Sequence, residues 1–149
     1  MTWLPHVTVA CIVETNGEFL IVEEESFGKR VYNQPAGHVE SGETLVEAAI
    51  RETLEETGWK VEPTALLGMY VHTSPHSEVT YYRTCFIARA IEHDPNQALD
   101  DGIIQALWLS PEVIKADLSR CRSPVVYKSI VDYLKGQNFP LDCIYEHTN

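Results

Sequence analysis

The dipeptide Asn16-Gly17 places the strongest constraint on the fold, because a β-branched apolar run lies on each side of it. The two runs are His6–Val13 and Glu18–Glu23. An Asn-Gly pair between runs of this kind is the strongest short-range signal of a β-hairpin. The chain is therefore expected to begin with two antiparallel strands, and the helices predicted further along must pack against the sheet that contains them.

The rest of the chain alternates between helix and strand signals. Thr44 followed by Glu47 forms a capping-box pattern that starts a helix, and Gly58 is placed to end it. Two Ser-Pro pairs and three apolar runs predict later helices near 111–116 and 124–135 and strands at Leu66–His72, Thr80–Ile91 and Ile103–Leu109. These elements predict an α/β fold with a mixed sheet packed against helices, in a single domain of residues 1–149.

Composition argues against several classes of partner. The chain has 11 basic and 22 acidic residues, a net charge of −11, whereas nucleic-acid polymers are bound through lysine and arginine. No apolar run approaches the roughly 18 residues of a membrane helix, and the N-terminus lacks the pattern of a signal peptide. The four cysteines have no Cys-x-x-Cys spacing, which favours free thiols in a reducing cytoplasm over a zinc site or disulfides.

The negative charge is concentrated, since residues 37–59 hold six glutamates and one arginine. Glu52, Glu55 and Glu56 have the spacing that places three carboxylates on one helix face, near the C-terminal end. Like charges at this spacing and anions at this end both destabilise a helix. A solvated helix face is one interpretation, whereas a bound cation accounts for both features. Carboxylates without histidine or cysteine favour Mg²⁺ or Mn²⁺, and hence a phosphate-bearing substrate and a metal-activated water.

The window Gly37–Trp59, "GHVESGETLVEAAIRETLEETGW", resembles the Nudix box of the Nudix hydrolases. The matching fixed positions are Gly37, Glu43, Arg51, Glu52, Glu55, Glu56 and Gly58. Thr53 departs from the apolar residue of the pattern, but it is β-branched and close to valine in shape. The resemblance implies the Nudix fold, a mixed sheet sandwiched between helices (α/β/α), and Mg²⁺-dependent hydrolysis of a phosphoanhydride, with Mn²⁺ able to substitute.

The resemblance also implies roles for these residues. The implied metal ligands are Gly37, through its carbonyl oxygen, with Glu52, Glu55 and Glu56; the implied catalytic residues are the same three glutamates with Glu43 and Arg51. Arg51 would pair with Glu43 to orient the helix and the preceding loop, rather than neutralise the metal ligands. Glu52 is in addition a candidate general base, a role that varies within the family.

A likeness to the NudJ phosphatase branch of the family extends over most of the chain, notably "NQPAGHVE" and "RSPVVYKSIVDYLKGQNFPL". This likeness implies release of orthophosphate from nucleoside di- and triphosphates and from hydroxymethylpyrimidine diphosphate. The protein is expected to be a cytoplasmic monomer or homodimer. Two alternatives are a pyrophosphohydrolase of nucleotide sugars or modified nucleoside triphosphates, and a non-catalytic nucleotide-binding regulatory domain. The complete set of acidic ligands argues against the second alternative, because a pure binding domain does not need it.

Further residues are candidate contacts for this small phosphorylated molecule. The charged candidates, each of which could instead be an ordinary surface cation, are Lys29, Arg30, Arg83 and Arg122. His38 follows the ligand glycine and could touch the substrate. Asp100 and Asp101 either add one more carboxylate, as in many family members, or form a turn. The aromatic residues that could stack on a base, or pack in the interior instead, are Trp3, Phe27, Tyr32 and Tyr145.

Overall fold

The computed structural model describes residues 2–147. Its strands are β1 (His6–Thr15), β2 (Glu18–Ser26), β3 (Lys29–Asn33), β4 (Ala36–His38), β5 (Trp59–Thr73), β6 (Thr80–His93) and β7 (Ile103–Leu109). Its α-helices are α1 (Leu45–Thr57), α2 (Pro111–Ala116) and α3 (Pro124–Leu134), with 3₁₀ turns at Leu118–Arg120 and Leu141–Cys143. Within residues 2–147, no helix combines the length and the apolar character needed to cross a membrane.

Strand β1 organises the sheet. Along most of its length it runs parallel to β6, while β4 pairs with it in the antiparallel direction. Its last two residues, Glu14 and Thr15, pair antiparallel with β2. The strand order is β3-β2-β1-β6-β5, with β4 also paired to β1 and β7 to β2. The sheet is therefore mixed, and the predicted α/β class is confirmed.

Helices cover both faces of this sheet, as alternate residues of β1 show. Val9 and Cys11 belong to one core cluster, together with Ala48 of α1. Ile12 belongs to a second cluster, together with Ile130 of α3. Because successive side chains of a strand point to opposite faces, α1 and α3 lie on opposite sides of the sheet. The predicted arrangement of a sheet sandwiched between helices is confirmed.

The turn and cap signals in the sequence produce the expected local structure. Asn16 and Gly17 have φ angles of 52° and 83°, as a two-residue turn with both central residues left-handed requires. At the start of α1, the Thr44 hydroxyl accepts a hydrogen bond from the Glu47 N–H at 3.1 Å, and the Glu47 carboxylate accepts one from the Thr44 N–H at 2.9 Å. Gly58 ends α1 with φ 76°. These bounds follow the prediction because each signal is local.

Strand β5 differs from the prediction, which placed its start at Leu66. In the structure it begins at Trp59, directly after α1. Pro63 has no N–H to donate to a neighbouring strand, so it normally argues against a regular strand. Here the pairing with β6 shifts register between Pro63 and Ala65. This irregularity accommodates the proline, and the strand continues through it.

Candidate active site

An acidic cluster lies at the C-terminal half of α1. Carboxylate oxygens of Glu52, Glu55 and Asp100 all lie within 4.8 Å of one another. Asp100 precedes β7, and its N–H donates to the Glu55 carbonyl oxygen at 3.0 Å, which ties the loop to the helix. The Asp100 carbonyl in turn accepts a hydrogen bond from the Ile103 N–H at 3.1 Å. Asp100 thus forms a turn and also lies beside the helix carboxylates, whereas Asp101 is not part of this cluster; both aspartates are exposed.

Glu56 is buried behind this cluster, and its carboxylate accepts a hydrogen bond from the Ala36 N–H of β4 at 2.9 Å. Burial raises the pKa of Glu56 to about 8, and the nearby carboxylates of Glu24, Glu52 and Asp100 act in the same direction. Burial likewise raises the pKa of Glu52. Burial and mutual repulsion both disfavour the anionic forms of these carboxyl groups, whereas a bound cation would stabilise the anionic forms. A donor set made only of carboxylate oxygens fits a hard divalent cation.

Arg51 connects the acidic side chains. It donates two hydrogen bonds to the Glu43 carboxylate, at 2.9 and 2.6 Å, and these bonds lower the pKa of Glu43. The same guanidinium donates to Glu52 at 2.9 Å and to Glu55 at 3.2 Å. It also donates to the His38 carbonyl oxygen at 3.0 Å. The sequence interpretation assigned Arg51 to Glu43 alone, whereas its five-donor fork reaches the other carboxylates as well.

Gly37 lies against the Glu52 side chain. A Cβ atom built on Gly37 would overlap the Glu52 carboxylate group, so a side chain at this position would force that carboxylate to move. The φ angle of Gly37 is not among the positive ones. The absence of a side chain, and not backbone freedom, is therefore what this position requires.

Thr53, which departs from the Nudix pattern, is fully buried on the core side of α1. Its hydroxyl donates to the Ala49 carbonyl oxygen at 2.8 Å, one helical turn earlier. A buried hydroxyl costs free energy only when it has no hydrogen-bond partner. Threonine therefore fills the apolar position of the pattern without leaving an unsatisfied polar group.

A cavity of about 630 Å³ opens beside the acidic residues, and its lining includes Gly37, Glu52 and Glu56. Of the charged substrate candidates, His38, Arg83 and Arg122 also line it. Lys29 and Arg30 do not: they are exposed on β3, and the structure does not bring them to the cavity. Of the aromatic candidates, Phe27 lines the cavity, whereas Trp3, Tyr32 and Tyr145 do not.

Arg83 lies on the floor of the cavity. Arg83 belongs to a row of paired residues that crosses the sheet. The row consists of His38, Thr8, Arg83 and Tyr70, and all four residues line the cavity. The Arg83 guanidinium donates to the side-chain oxygens of Asn33 at 3.1 Å and of Gln34 at 2.7 Å. Within residues 2–147, its Nε is the one buried side-chain nitrogen or oxygen without a hydrogen-bond partner. The Arg83 guanidinium is therefore held by two neutral amide side chains and not by a carboxylate.

Sequence reasoning missed several polar residues around Arg83. Glu24 is buried and accepts hydrogen bonds from Arg122 at 2.7 Å and from Asn33 at 3.2 Å. Gln34 is fully buried and donates to the Val126 carbonyl oxygen of α3 at 2.8 Å. The sequence signal that could have indicated these residues is an acidic residue, Glu24, at the end of the buried run of β2, followed by the amides Asn33 and Gln34 before the box. Because Arg122 is paired with Glu24, it is less available to a ligand than Arg83 is.

Comparison with known proteins identifies relatives that share this fold. The NUDIX domain family profile matches residues 4–128. Phosphatase NudJ of Shigella boydii is 45% identical over 141 residues, 94% of this chain and 90% of that protein. Phosphatase NudJ of Escherichia coli K12 is 44% identical over 140 residues, with the same coverage. A Nudix hydrolase structure from Nitrosomonas europaea has a TM-score of 0.94 and 40% identity, and covers 97% of this chain and 98% of that one.

A more distant structure is informative about ligands. It is a bifunctional NMN adenylyltransferase/ADP ribose pyrophosphatase of Francisella tularensis, in complex with AMP and an Mn ion. It is 25% identical with a TM-score of 0.64, and the match covers 91% of this chain but 42% of that one.

An acidic helix face, a cavity beside it and a mixed sheet between helices define the class of protein, and the chain belongs to the Nudix hydrolase family. The prediction that it is an enzyme of this family is confirmed. Within the family its similarity to phosphatase NudJ extends over 94% of the chain, so the predicted likeness to that branch is confirmed as well.

Proposed function

We propose that this protein hydrolyses a phosphoanhydride bond in a small phosphorylated molecule and releases orthophosphate. The proposed substrates are nucleoside di- and triphosphates and hydroxymethylpyrimidine diphosphate, and the proposed setting is the cytoplasm, with the domain of residues 1–149 as the catalytic unit. One observation carries the proposal: the acidic cluster of Glu52, Glu55 and Asp100 lies beside a cavity that is also lined by Arg83, whose guanidinium is bonded to neutral side chains. The name phosphatase, given to the NudJ relatives, supports orthophosphate as the product.

The proposed cofactor is Mg²⁺, for which Mn²⁺ can substitute. Glu52, Glu55 and Glu56 would hold it together with the Gly37 carbonyl oxygen, and Asp100 offers a further oxygen within reach of the first two. When bound, such a cation neutralises charge on the phosphate oxygens and makes water a better nucleophile at neutral pH.

The protein side chains supply the remaining functions. Glu52 lies against the Gly37 backbone at the cavity and is the proposed general base, which accepts the proton of the attacking water. Arg51 holds the Glu52 carboxylate in place through its 2.9 Å hydrogen bond. The Arg83 guanidinium, which lines the cavity and is held by neutral side chains, is the proposed contact for a substrate phosphate, and His38 is a second proposed contact on the same row of the sheet. Lys29 and Arg30 are given no direct contact in this proposal, because neither lines the cavity.

A panel of phosphoanhydrides tests this function. The purified protein is incubated with Mg²⁺ and with ADP, ATP, CTP, hydroxymethylpyrimidine diphosphate or a nucleotide sugar, and orthophosphate and pyrophosphate are measured separately. We expect orthophosphate from the first four substrates and none after the metal is chelated. Release of pyrophosphate or of a nucleoside monophosphate alone would indicate a pyrophosphohydrolase instead. Binding of nucleotides without any turnover would indicate a regulatory domain.

The Gly37→Ala substitution tests whether the space beside Glu52 matters for catalysis. The added methyl group would displace the Glu52 carboxylate, and a misplacement of about 1 Å in a catalytic group can cost about 100-fold in rate. We therefore expect the rate of orthophosphate release to fall by about that factor. Gly68→Ala is the matched control, because its methyl group would meet the end of the Gln137 side chain at 3.2 Å, outside the cavity. Equal rates in the two variants would contradict the role given to Glu52.

A further inference from the structure

Two loops meet at the cavity through one aromatic contact. The turn between β2 and β3 carries Phe27, and the loop between β5 and β6 carries His76. Their rings are stacked, with centroids 4.6 Å apart and planes inclined by 26°. Both side chains line the cavity that contains Glu52 and Glu56. We call Phe27 and His76 the aromatic pair.

Local structure and core packing do not explain a phenylalanine at this position. Phe27 has φ 49°, a left-handed conformation that is unfavourable for a bulky residue, and glycine or asparagine is the usual choice there. Its side chain is also 65% exposed, so little burial offsets the strain. Backbone strain retained at a cavity-lining residue is a common feature of ligand-binding positions.

The register of the sheet places the aromatic pair at the opposite end of the cavity from Glu56. Glu56 contacts Ala36, which pairs with Ala10 of β1. Two residues back along β1, Thr8 pairs with Arg83 of β6. A further two residues back, His6 pairs with Tyr81. This row lies four residues along β1 from the row of Ala10, a distance of about 13 Å at 3.3 Å per residue.

The loop that carries His76 continues from this far row. Tyr81 pairs with His72 of β5, and the cavity-lining residue Ser74 lies two residues beyond His72. The Ser74 hydroxyl accepts a hydrogen bond from the His76 N–H at 3.3 Å, which anchors the histidine to the end of the strand. The acidic residues therefore lie at one end of the cavity, Arg83 lies in the middle, and the aromatic pair lies at the other end.

We propose that the aromatic pair binds an aromatic heterocycle at the end of the substrate that is not cleaved. This inference rests on the proposed function, because it assumes that the phosphate end lies at the acidic residues. A planar ring would stack on Phe27 or His76, as bases do on aromatic side chains in proteins. Ser74, Ser77 and Tyr81 also line the cavity and offer hydrogen bonds to ring heteroatoms, which an aliphatic group would not use.

Equilibrium binding tests the proposal without any hydrolysis. The probes are AMP and CMP, which have no phosphoanhydride, and inorganic phosphate, and Kd values are measured by NMR titration. We expect Phe27→Ala and His76→Ala to weaken binding of at least one nucleotide by about 5- to 100-fold, the range for loss of a base-stacking residue. Phe27→Tyr should bind as the wild type does. Phe139→Ala, at an exposed phenylalanine outside the cavity, is the matched control and should leave Kd unchanged.

Each outcome of these titrations decides the proposal. Weaker nucleotide binding with unchanged phosphate binding supports it, whereas unchanged nucleotide binding in both variants, or the same loss for nucleotide and phosphate, overturns it. It is also overturned if the wild type binds neither AMP nor CMP more tightly than inorganic phosphate.

A kinetic comparison separates this proposal from the proposed function. In Phe27→Ala, the KM for ADP should rise while the kinetics with inorganic tripolyphosphate, which has no ring, stay the same. If no anhydride is hydrolysed but the nucleotide titrations behave as expected, the proposed function fails and the aromatic-ring site stands.

Discussion

Substitution of Glu56 by Gln is expected to lower Mg²⁺-dependent orthophosphate release by at least about 100-fold, the upper end of what loss of an outer-shell partner of a metal costs. The amide keeps an oxygen that can accept the Ala36 N–H, so strand β4, which contains Gly37, stays in place. What the variant loses is the negative charge with which Glu56 would hold the cation. The measurement is kcat for orthophosphate release at saturating Mg²⁺.

Thermal unfolding of the same variant without metal distinguishes lost chemistry from lost structure. Burial raises the pKa of Glu56 to about 8, so the structure disfavours the anionic form and tolerates a neutral side chain. We therefore expect the Tm of Glu56→Gln to be no lower than that of the wild type. Glu92→Gln, at an exposed glutamate of β6, is the control and should keep full activity. Unchanged phosphate release in Glu56→Gln would show that Glu56 is not a metal ligand.

Substitution of Arg51 by Met should have the largest effect on stability. It removes five side-chain hydrogen bonds and leaves the carboxylates of Glu43, Glu52 and Glu55 without their shared cation. The Arg51 network is partly buried, and loss of hydrogen bonds to charged groups in such a network costs about 2 kcal/mol in the free energy of unfolding. The same change should lower activity by at least about 100-fold, because Arg51 orients Glu52. Urea unfolding and phosphate-release assays measure the two effects.

Two further variants separate the geometry of Arg51 from its charge. Arg51→Lys keeps the charge but cannot reproduce the fork that binds Glu43 through two nitrogens, so we expect intermediate losses of stability and activity. Arg89→Met breaks an exposed ion pair with Glu62 and should cost under about 1 kcal/mol. If Arg51→Met cost no more than Arg89→Met, the network around Arg51 would be an ordinary surface ion pair.

The features predicted well from the sequence are those that depend on near neighbours along the chain. The Asn16-Gly17 turn and the capped ends of α1 both involve residues within a few positions of one another. The strand start was missed at Trp59 because Pro63 argues locally against a strand, and pairing with β6 overrides that preference.

The cavity residues were harder to predict, since the contacts that select them join distant parts of the chain. Lys29 and Arg30 precede the box closely in sequence, yet they lie on an outer strand away from the cavity. Arg83 comes much later in the chain, and its pairing with Thr8 of β1 carries it to the cavity floor. No spacing in the sequence distinguishes these three cations, because their separation depends on strand order.

By itself, the sequence determined the class of the protein and the chemical character of its site. The proposed ligand carboxylates of Glu52, Glu55 and Glu56 lie on a single helix, and helical periodicity is readable from residue spacing alone. Only the tertiary structure decided which other groups join them: Asp100 beside Glu52 and Glu55, Arg83 with an unpaired donor, and Phe27 against His76. These contacts connect residues tens of positions apart, and burial of the two core faces around β1 is what brings them together.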